Sequence, residues 1–355
     1  MELVNVCSCN LIATDFRSNA PATAHFAILY RIVQNQYRHE GINHGTHRKT
    51  ALITGATVPV DGGAAPLTPS PTTTHYRTRT PDMTRPIRIG VLPHCGNAPD
   101  FATWRSAVMR AEELGADFIF GYDHFHKPEV ADLNQGVPVL ADVQPDVTHF
   151  EGWTALASWG EITHRAEIGL LVTGIGYRNP DLLADMARTV DHISGGRLVL
   201  GLGAGWYEKD YTTYGYEFGT WKSRFDLFDA GLQRIEARMG QLNPPPVRKI
   251  PILLGGSGPK RTLPAVARHA DIWHTVLAAE AFTEASAQVD ELAAAIGRDG
   301  NDIERSVHWF GAESADVYRQ AGATTFTTEI DPDPTTGYYD FSTLEEMLAW
   351  RDRQK

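Results

Sequence analysis

From about residue 87 onward, short apolar runs alternate with longer stretches whose apolar residues recur at helical spacing. The runs at 168–172 and 198–202 are apolar or glycine throughout, which is typical of strands buried on both faces of a parallel sheet. Between them, apolar residues recur every three or four positions over 181–193, and Ser194 with two glycines ends the pattern. This segment therefore predicts a strand, a helix and the next strand.

The same alternation repeats along the rest of the chain. It predicts strands at 87–93, 117–121, 167–172, 197–203, 250–255, 271–276, 305–310 and 323–328, and helices at 100–114, 151–163, 181–193, 222–239, 259–269, 281–297, 314–321 and 342–353. Units of this kind describe an α/β protein folded as a (β/α)8 TIM barrel, whose working face is formed by the carboxyl ends of its strands. The residues that follow each strand are therefore the candidates for chemistry.

The first 82 residues do not share this pattern. Prolines and threonines crowd residues 64–82, and such a composition buries too little apolar surface to offset the entropy of ordering. Residues 53–63 are similar to the carboxyl-terminal tail of short-chain dehydrogenases, although the Gly-rich loop and catalytic Tyr-x-x-x-Lys pair of that family are missing. We therefore expect residues 1–82 to be a poorly ordered extension carrying this remnant, and residues 83–355 to be the barrel domain.

Composition narrows the class of protein. The formal net charge of −11 argues against a nucleic-acid partner, and no apolar run approaches the ~18 residues of a membrane-spanning helix. Cys7, Cys9 and Cys95 have neither metal-ligand nor disulfide spacing, which is typical of a reducing cytoplasm. We therefore expect a cytoplasmic protein without a metal, a nucleic-acid partner or a membrane segment.

A histidine follows the second predicted strand. Asp123 and His124 come directly after 117–121, and an imidazole at a strand end can serve as acid, base or hydrogen-bond donor near neutral pH. His126 lies close behind and is interpreted as a loop residue.

A glycine-rich loop follows the strand predicted at 250–255 and opens a helix. Backbone amides at a helix amino end attract anions, glycines allow a phosphate to approach closely, and a lysine adds positive charge. The candidate residues for this phosphate site are Gly255, Gly256, Ser257, Gly258 and Lys260. The Gly-Lys-Thr spacing of a Walker loop is absent.

Several separated segments together resemble one family. The segment 177–206, with its Arg-Asn-Pro, Ser-Gly-Gly-Arg and Gly-Leu-Gly-Ala-Gly-Trp sequences, resembles the bacterial-luciferase-like oxidoreductases, and most of all their deazaflavin-dependent branch. Further matches occur in the expected order at 87–93, 117–125 and 251–274. The resemblance covers about 84–330, and it implies a TIM barrel that binds a deazaflavin (coenzyme F420) or FMN, acts on a small molecule and is compatible with a homodimer.

The resemblance also implies roles for single residues. His124 would face the reactive ring of the cofactor, Asp123 would orient His124, and the loop at 255–260 would hold the cofactor phosphate. Backbone near Thr173 would approach the ring through a non-proline cis peptide, with Leu171 and Val172 beside it. The glycine-rich strand end would flank the cofactor through Gly203, Ala204 and Gly205, and Trp206 and Tyr207 would wall the substrate pocket. Trp206 stands where sugar-phosphate dehydrogenases of the deazaflavin branch have a glutamate, which argues against their substrate.

The sequence leaves three functions open. The first is hydride transfer between a deazaflavin and an unidentified small organic substrate. The second is an FMNH2-dependent monooxygenase of the alkanesulfonate or luciferase type. The third is a cofactor-binding protein without catalysis. A short-chain dehydrogenase built on residues 53–63 is disfavoured because the rest of that family's sequence pattern is missing.

Overall fold

The computed structural model describes residues 85–134 and 137–354, so the predictions for residues 1–82 lie outside the described residues. Within this part of the chain the strands are β1 Arg88–Pro93, β2 Phe118–Gly121, β3 Val130–Asn134, β4 Val137–Leu140, β5 Glu167–Leu170, β6 Thr173–Gly174, β7 Leu198–Gly203, β8 Ile252–Gly255, β9 Ile272–Thr275, β10 Glu304–His308 and β11 Ala323–Ile330. The helices are α1 Phe101–Leu114, α2 Gly152–Ile162, α3 Pro180–Ile193, α4 Glu208–Thr213, α5 Trp221–Met239, α6 Thr262–His269, α7 Ala279–Ala295, α8 Ala312–Gln320 and α9 Ser342–Arg353.

The parallel strands close into a barrel. Following the hydrogen bonds from strand to strand gives the order β5, β2, β1, β11, β10, β9, β8 and β7, and β7 pairs back onto β5. The short β6 continues the line of β5 after a break and pairs with β7. Helices connect the successive strands, so the (β/α)8 TIM barrel predicted from the sequence is confirmed.

The element boundaries follow local signals in the sequence. Asn179 caps α3 by accepting hydrogen bonds from two backbone amides of the first turn, and Pro180 occupies the first helical position. The predicted strand 167–172 ends at Leu170, and the Leu171–Val172 peptide bond that follows is cis. The antiparallel hairpin β3–β4 and the short helix α4 were not predicted.

Two faces of the sheet build two apolar layers. One layer packs between strands and helices and includes Trp159 and Trp273, both fully buried. The other fills the barrel interior with side chains from six strand positions: Leu92, Phe118, Phe120, Val199, Leu253 and Ile272. Residues paired across parallel strands point to the same side of the sheet, so the register identifies the other inward positions.

The amino end of the barrel is closed by charged side chains. Arg88 of β1 bonds to Glu304 of β10 and to Glu167 of β5, and Arg248 reaches Glu167 from the loop before β8. Such paired charges at the base of a barrel contribute to its stability, whereas function is found at the carboxyl ends of the strands. Among the described residues, no helix is long and apolar enough to cross a membrane.

Candidate active site

His124 lies just beyond the carboxyl end of β2 and is held by a residue that the sequence did not single out. Its Nδ1 lies 2.6 Å from Oδ2 of Asp210, a carboxylate on the short helix α4 that is completely buried. The other oxygen of Asp210 is 2.9 Å from Nδ1 of His126 and accepts the backbone N–H of Phe125 at 3.0 Å. Tyr177 donates its hydroxyl to Oδ2 at 3.0 Å.

These contacts settle the charge of Asp210 and the tautomer of His124. Burial works to raise the pKa of Asp210, but the hydrogen bonds from His124, His126 and Tyr177 outweigh it and lower that pKa. An ionised carboxylate only accepts hydrogen bonds, so Nδ1 of His124 carries a proton. When the ring is neutral, its Nε2 atom is therefore the proton acceptor.

Asp123 does not orient His124, which corrects the role expected for it. Its fully buried carboxylate makes a bidentate ion pair with Arg178, with distances of 2.5 and 2.9 Å, and Arg178 also bonds to Glu151 at 2.6 Å. Burial raises the pKa of Asp123 to about 6, against the opposing effect of Arg178. The two neighbouring side chains thus have different partners, Arg178 for Asp123 and Asp210 for His124.

A ledge of backbone and small side chains forms beside His124 at the ends of β5, β7 and β8. The cis peptide bond joins Leu171 to Val172, at the position where the resemblance implies one. A Cβ atom on Gly203 would lie 2.7 Å from Cγ2 of Val172, and one on Gly255 would lie 3.2 Å from its Cγ1. Val172 therefore leaves too little space for a side chain at either position, which explains why both residues are glycine.

Thr173 and the glycine-rich strand end lie next to this ledge. Thr173 is buried and accepts a hydrogen bond from the indole N–H of Trp153 at 3.0 Å. Gly205 has a φ of +82°, and a Cβ atom there would collide with the hydroxyl of Tyr211 at 1.9 Å. Ala204 lies half-buried between the two glycines of this strand end.

Aromatic rings surround His124 on its other sides. The ring centroids of Trp206 and Tyr207 lie 5.3 and 5.6 Å from that of His124, and Tyr122 lies 5.5 Å away. Trp206 is half-buried, whereas Tyr207 is 1% exposed and donates its hydroxyl to Gln144 at 2.9 Å. Trp206 is thus partly open to solvent beside His124, whereas the buried ring of Tyr207 packs against both of them.

The glycine-rich loop after β8 leads into the amino end of α6 as predicted. No side chain caps this helix, so no side-chain acceptor occupies its first backbone amides. Gly256 has a φ of +114°, which favours glycine, and its N–H donates to His274 O at 3.0 Å. Arg261 turns away and pairs with Asp226 and Asp229, each at 2.9 Å, whereas the exposed Lys260 lies near no carboxylate in the described part of the chain.

Gly258 and Ser257 complete this loop. Gly258 accepts the N–H of Leu263 at 3.0 Å, and a Cβ atom on it would lie 3.1 Å from the hydroxyl of Thr262. Ser257 is half-buried between the two glycines.

A set of polar side chains at the carboxyl ends of β1, β9, β10 and β11 was not anticipated. We call it the polar arc; its members are His94, His274, His308 and Glu329. Nε2 of His94 lies 3.0 Å from Oε2 of Glu329, and Nδ1 of His274 lies 2.9 Å from Oγ of Ser306. Burial lowers the pKa of His274 to about 3 and also lowers that of His308, so both rings are neutral at pH 7.

The sequence carried a signal for this arc. His274 and His308 lie inside predicted strands and Glu329 directly follows one, and the strand register aligns all three with positions that point into the barrel. Within the described residues, no group of His, Cys, Asp or Glu side chains is placed to hold a metal ion.

Comparison with curated proteins gives a distant relative. The chain is 28% identical over 222 residues to the phthiodiolone/phenolphthiodiolone dimycocerosates ketoreductase of Mycobacterium tuberculosis, an alignment that covers 56% of this chain and 58% of that protein. The chain thus spans little more than half the length of this relative.

Solved structures share the fold. One is an F420-dependent secondary alcohol dehydrogenase in complex with an F420-acetone adduct, with a TM-score of 0.61, 15% identity and coverage of 75% of this chain and 99% of that one. Another is the oxygenating constituent of 3,6-diketocamphane monooxygenase from Pseudomonas putida in complex with FMN, with a TM-score of 0.55, 12% identity and coverage of 76% and 97%.

A family model decides the assignment. The model of the luciferase-like monooxygenases matches residues 82–325, which include every barrel strand from β1 to β10 and the start of β11. The match also contains His124, Asp210, the Val172 ledge and the loop after β8. The chain therefore belongs to the luciferase-like monooxygenase family of oxidoreductases.

Proposed function

We propose that this oxidoreductase uses a deazaflavin, coenzyme F420, to transfer hydride to or from the carbinol or carbonyl carbon of a small organic substrate. The observation that carries the proposal is His124, whose Nδ1 is fixed on the buried Asp210 beside the Val172 ledge. A ring nitrogen fixed in this way is suited to exchange a proton with the substrate oxygen while hydride moves at carbon.

The residues of the barrel mouth fit such a cofactor. Gly203 and Gly255 leave only Val172 and backbone at the ledge, where a flat ring can lie close to the protein. The uncapped amino end of α6 and Lys260, which pairs with no carboxylate among the described residues, fit a phosphate group. When bound, the deazaflavin supplies the hydride chemistry, and the protein supplies binding, orientation and proton transfer.

His124 performs the proton step in either direction. In alcohol oxidation the neutral ring accepts the hydroxyl proton at Nε2, and the resulting imidazolium is stabilised by Asp210. In carbonyl reduction the same Nε2–H donates its proton to the oxygen. Two similar proteins, a ketoreductase and a secondary alcohol dehydrogenase, belong to this reaction class.

An FMNH2-dependent monooxygenase is the second candidate, favoured by the description of the matching family model. Both cofactors have a flat ring and a phosphate, so the ledge and the loop fit either one. Absorption spectra separate them, because a deazaflavin complex absorbs in the violet and forms no oxygen adduct. A cofactor-binding protein without catalysis is disfavoured by the Asp210-held His124.

Replacing His124 by Asn tests the catalytic role. Asn retains much of the size and one hydrogen bond but does not titrate near neutral pH. We expect cofactor affinity to change by less than about threefold and turnover of alcohols and ketones to fall by about 10²–10⁴-fold, the usual contribution of general acid–base catalysis. His164→Asn is the matched control, since His164 is exposed. Turnover of His124→Asn within threefold of the wild type, with the same pH profile, would contradict the proposal.

Lys260→Gln tests the phosphate site. We expect it to weaken binding of the phosphorylated deazaflavin and to leave the riboflavin-level analogue, which has no phosphate, nearly unaffected. Titrations that follow cofactor fluorescence measure both affinities. Equal losses for the two ligands would indicate a general binding defect and remove Lys260 from the site.

A further inference from the structure

The polar arc has no role in the function proposed so far, although the ring of Tyr122 contacts both its member His94 and His124. The ring centroid of Tyr122 is 4.8 Å from that of His94 on one side and 5.5 Å from that of His124 on the other. A ligand in the barrel mouth that reaches His124 is therefore close to His94 and to its partner Glu329.

Glu329 points into the barrel mouth and is open to solvent. Its partner in the parallel register is Leu92, a member of the interior apolar layer, so the two side chains lie on the same side of the sheet. Even so, 38% of the Glu329 side chain is exposed. An inward-facing side chain with this exposure lines an accessible part of the mouth.

The carboxylate of Glu329 is held in place and remains ionised. Burial works to raise its pKa, but the hydrogen bond and charge of His94 outweigh it and lower the pKa to about 2. Burial also opposes protonation of His94, but Asp331 and Glu329 together raise its pKa. His94 thus fixes Oε2 of Glu329 as one half of an ion pair.

The surroundings select against an anionic ligand at this point. Two basic side chains of this region are already paired, His94 with Glu329 itself and Lys127 with Asp331 at 2.6 Å. His274 and His308 are neutral. A carboxylate or sulfonate placed here would lie against the Glu329 carboxylate, whose partner His94 is already engaged, whereas a neutral N–H or O–H group would find a strong acceptor.

We propose that Glu329 is a binding residue that accepts a hydrogen bond from a neutral N–H or O–H group of a ligand in the barrel mouth, with His94 as its positioning residue. Two ligands carry such a group: the ring imide of a deazaflavin or flavin, and a substrate with a second hydroxyl besides the reacting one. The choice of ligands rests on the proposed function. The consequence for the substrate is that it is neutral, not a carboxylate or sulfonate.

The first arm of the test measures cofactor binding. Riboflavin-level deazaflavin and its imide-methylated derivative are titrated by fluorescence against the wild type, Glu329→Gln and the matched control Glu291→Gln, whose side chain is exposed on α7. If the ring imide is the donor, methylation weakens binding to the wild type at least tenfold, Glu329→Gln weakens binding of the unmethylated ligand at least tenfold, and Glu291→Gln changes nothing.

The second arm measures the substrate side on cofactor-loaded protein. It compares 2,3-butanediol, 2-butanol and 3-hydroxybutyrate as ligands and as substrates. If a substrate hydroxyl is the donor, the wild type favours the diol over 2-butanol at least tenfold in Kd or KM, rejects the acid, and loses its preference for the diol in Glu329→Gln.

Either pattern supports the proposal and identifies the source of the donor. The proposal would be overturned if Glu329→Gln stayed within threefold of the wild type both in cofactor affinity and in its preference for the diol. A preference of the wild type for 3-hydroxybutyrate would also overturn it. If the variant does not fold, the wild-type comparisons decide alone. The proposal is then overturned if imide methylation has no effect on binding and the diol is not preferred over 2-butanol. Failure of the wild type to bind any deazaflavin contradicts the proposed function instead, and the first arm is then read with FMN, which carries the same imide.

Discussion

Replacement of Asp210 by Asn probes the contact on which the arrangement of the site depends. Asp210 is completely buried and accepts four hydrogen bonds, two of them from the imidazoles of His124 and His126. The amide of Asn has one acceptor oxygen and one N–H2 group, so at least one imidazole Nδ1–H would face a donor. Each hydrogen bond to a charged group contributes about 1.5–3 kcal/mol. The expected loss of stability is therefore about 2–3 kcal/mol, a fall in Tm of roughly 4–12 °C for a barrel of this size.

The effect on His124 is read directly by nuclear magnetic resonance of the imidazole nitrogens. In the wild type we expect neutral His124 to carry its proton on Nδ1, because Asp210 accepts it. In Asp210→Asn the proton is expected to move to Nε2 in a measurable fraction of molecules, with turnover falling by about 10²–10⁴-fold. A wild-type His124 protonated on Nε2, or an Asn variant with unchanged tautomer and turnover, would refute the reasoning.

Three further outcomes are expected. Gly203→Ala places a Cβ atom 2.7 Å from Cγ2 of Val172, so it is expected to lower the free energy of unfolding by about 1–3 kcal/mol. Val172→Ala in the same chain is expected to recover part of that loss. Thermal unfolding of the two single variants and the double variant measures the coupling. Glu329 has a lowered pKa in the folded protein, so its pairing with His94 stabilises the fold above about pH 4.5, and this stabilisation is lost as the pH falls toward 2. Between these pH values the Tm of Glu329→Gln should therefore drop less than the Tm of the wild type. An equal drop in both proteins would count against the ion pair. A chain that begins at Met83 is expected to fold with an unchanged Tm and cofactor affinity, since every described strand and helix begins after it; insoluble protein would contradict this.

Most of the fold could be predicted because its signals are local. Buried parallel strands are short and apolar, and the amphipathic helices between them have caps such as Asn179 and stops such as Gly195. The exceptions lack such periodicity. The hairpin β3–β4 has two short strands that form a sheet apart from the barrel, and helix α4 is only six residues long.

The site could be predicted only in part, because its partners come from distant segments. His124 and the glycine-rich loop follow their strands directly, so position alone marks them. Asp210 lies 86 residues beyond His124, and only the folded barrel brings the two together. The adjacent Asp123 was a misleading partner, because its carboxylate pairs with Arg178 and not with His124.

The most direct measurement for the central claim is the spectrum and mass of the small molecule that copurifies with the protein from a host that makes both deazaflavin and FMN. The account predicts a violet-absorbing deazaflavin of the coenzyme F420 type, retained by the wild type and by His124→Asn and lost more readily from Lys260→Gln. Purification of the wild type with FMN alone, or formation of an oxygen adduct by the reduced complex, would contradict the account and favour the monooxygenase.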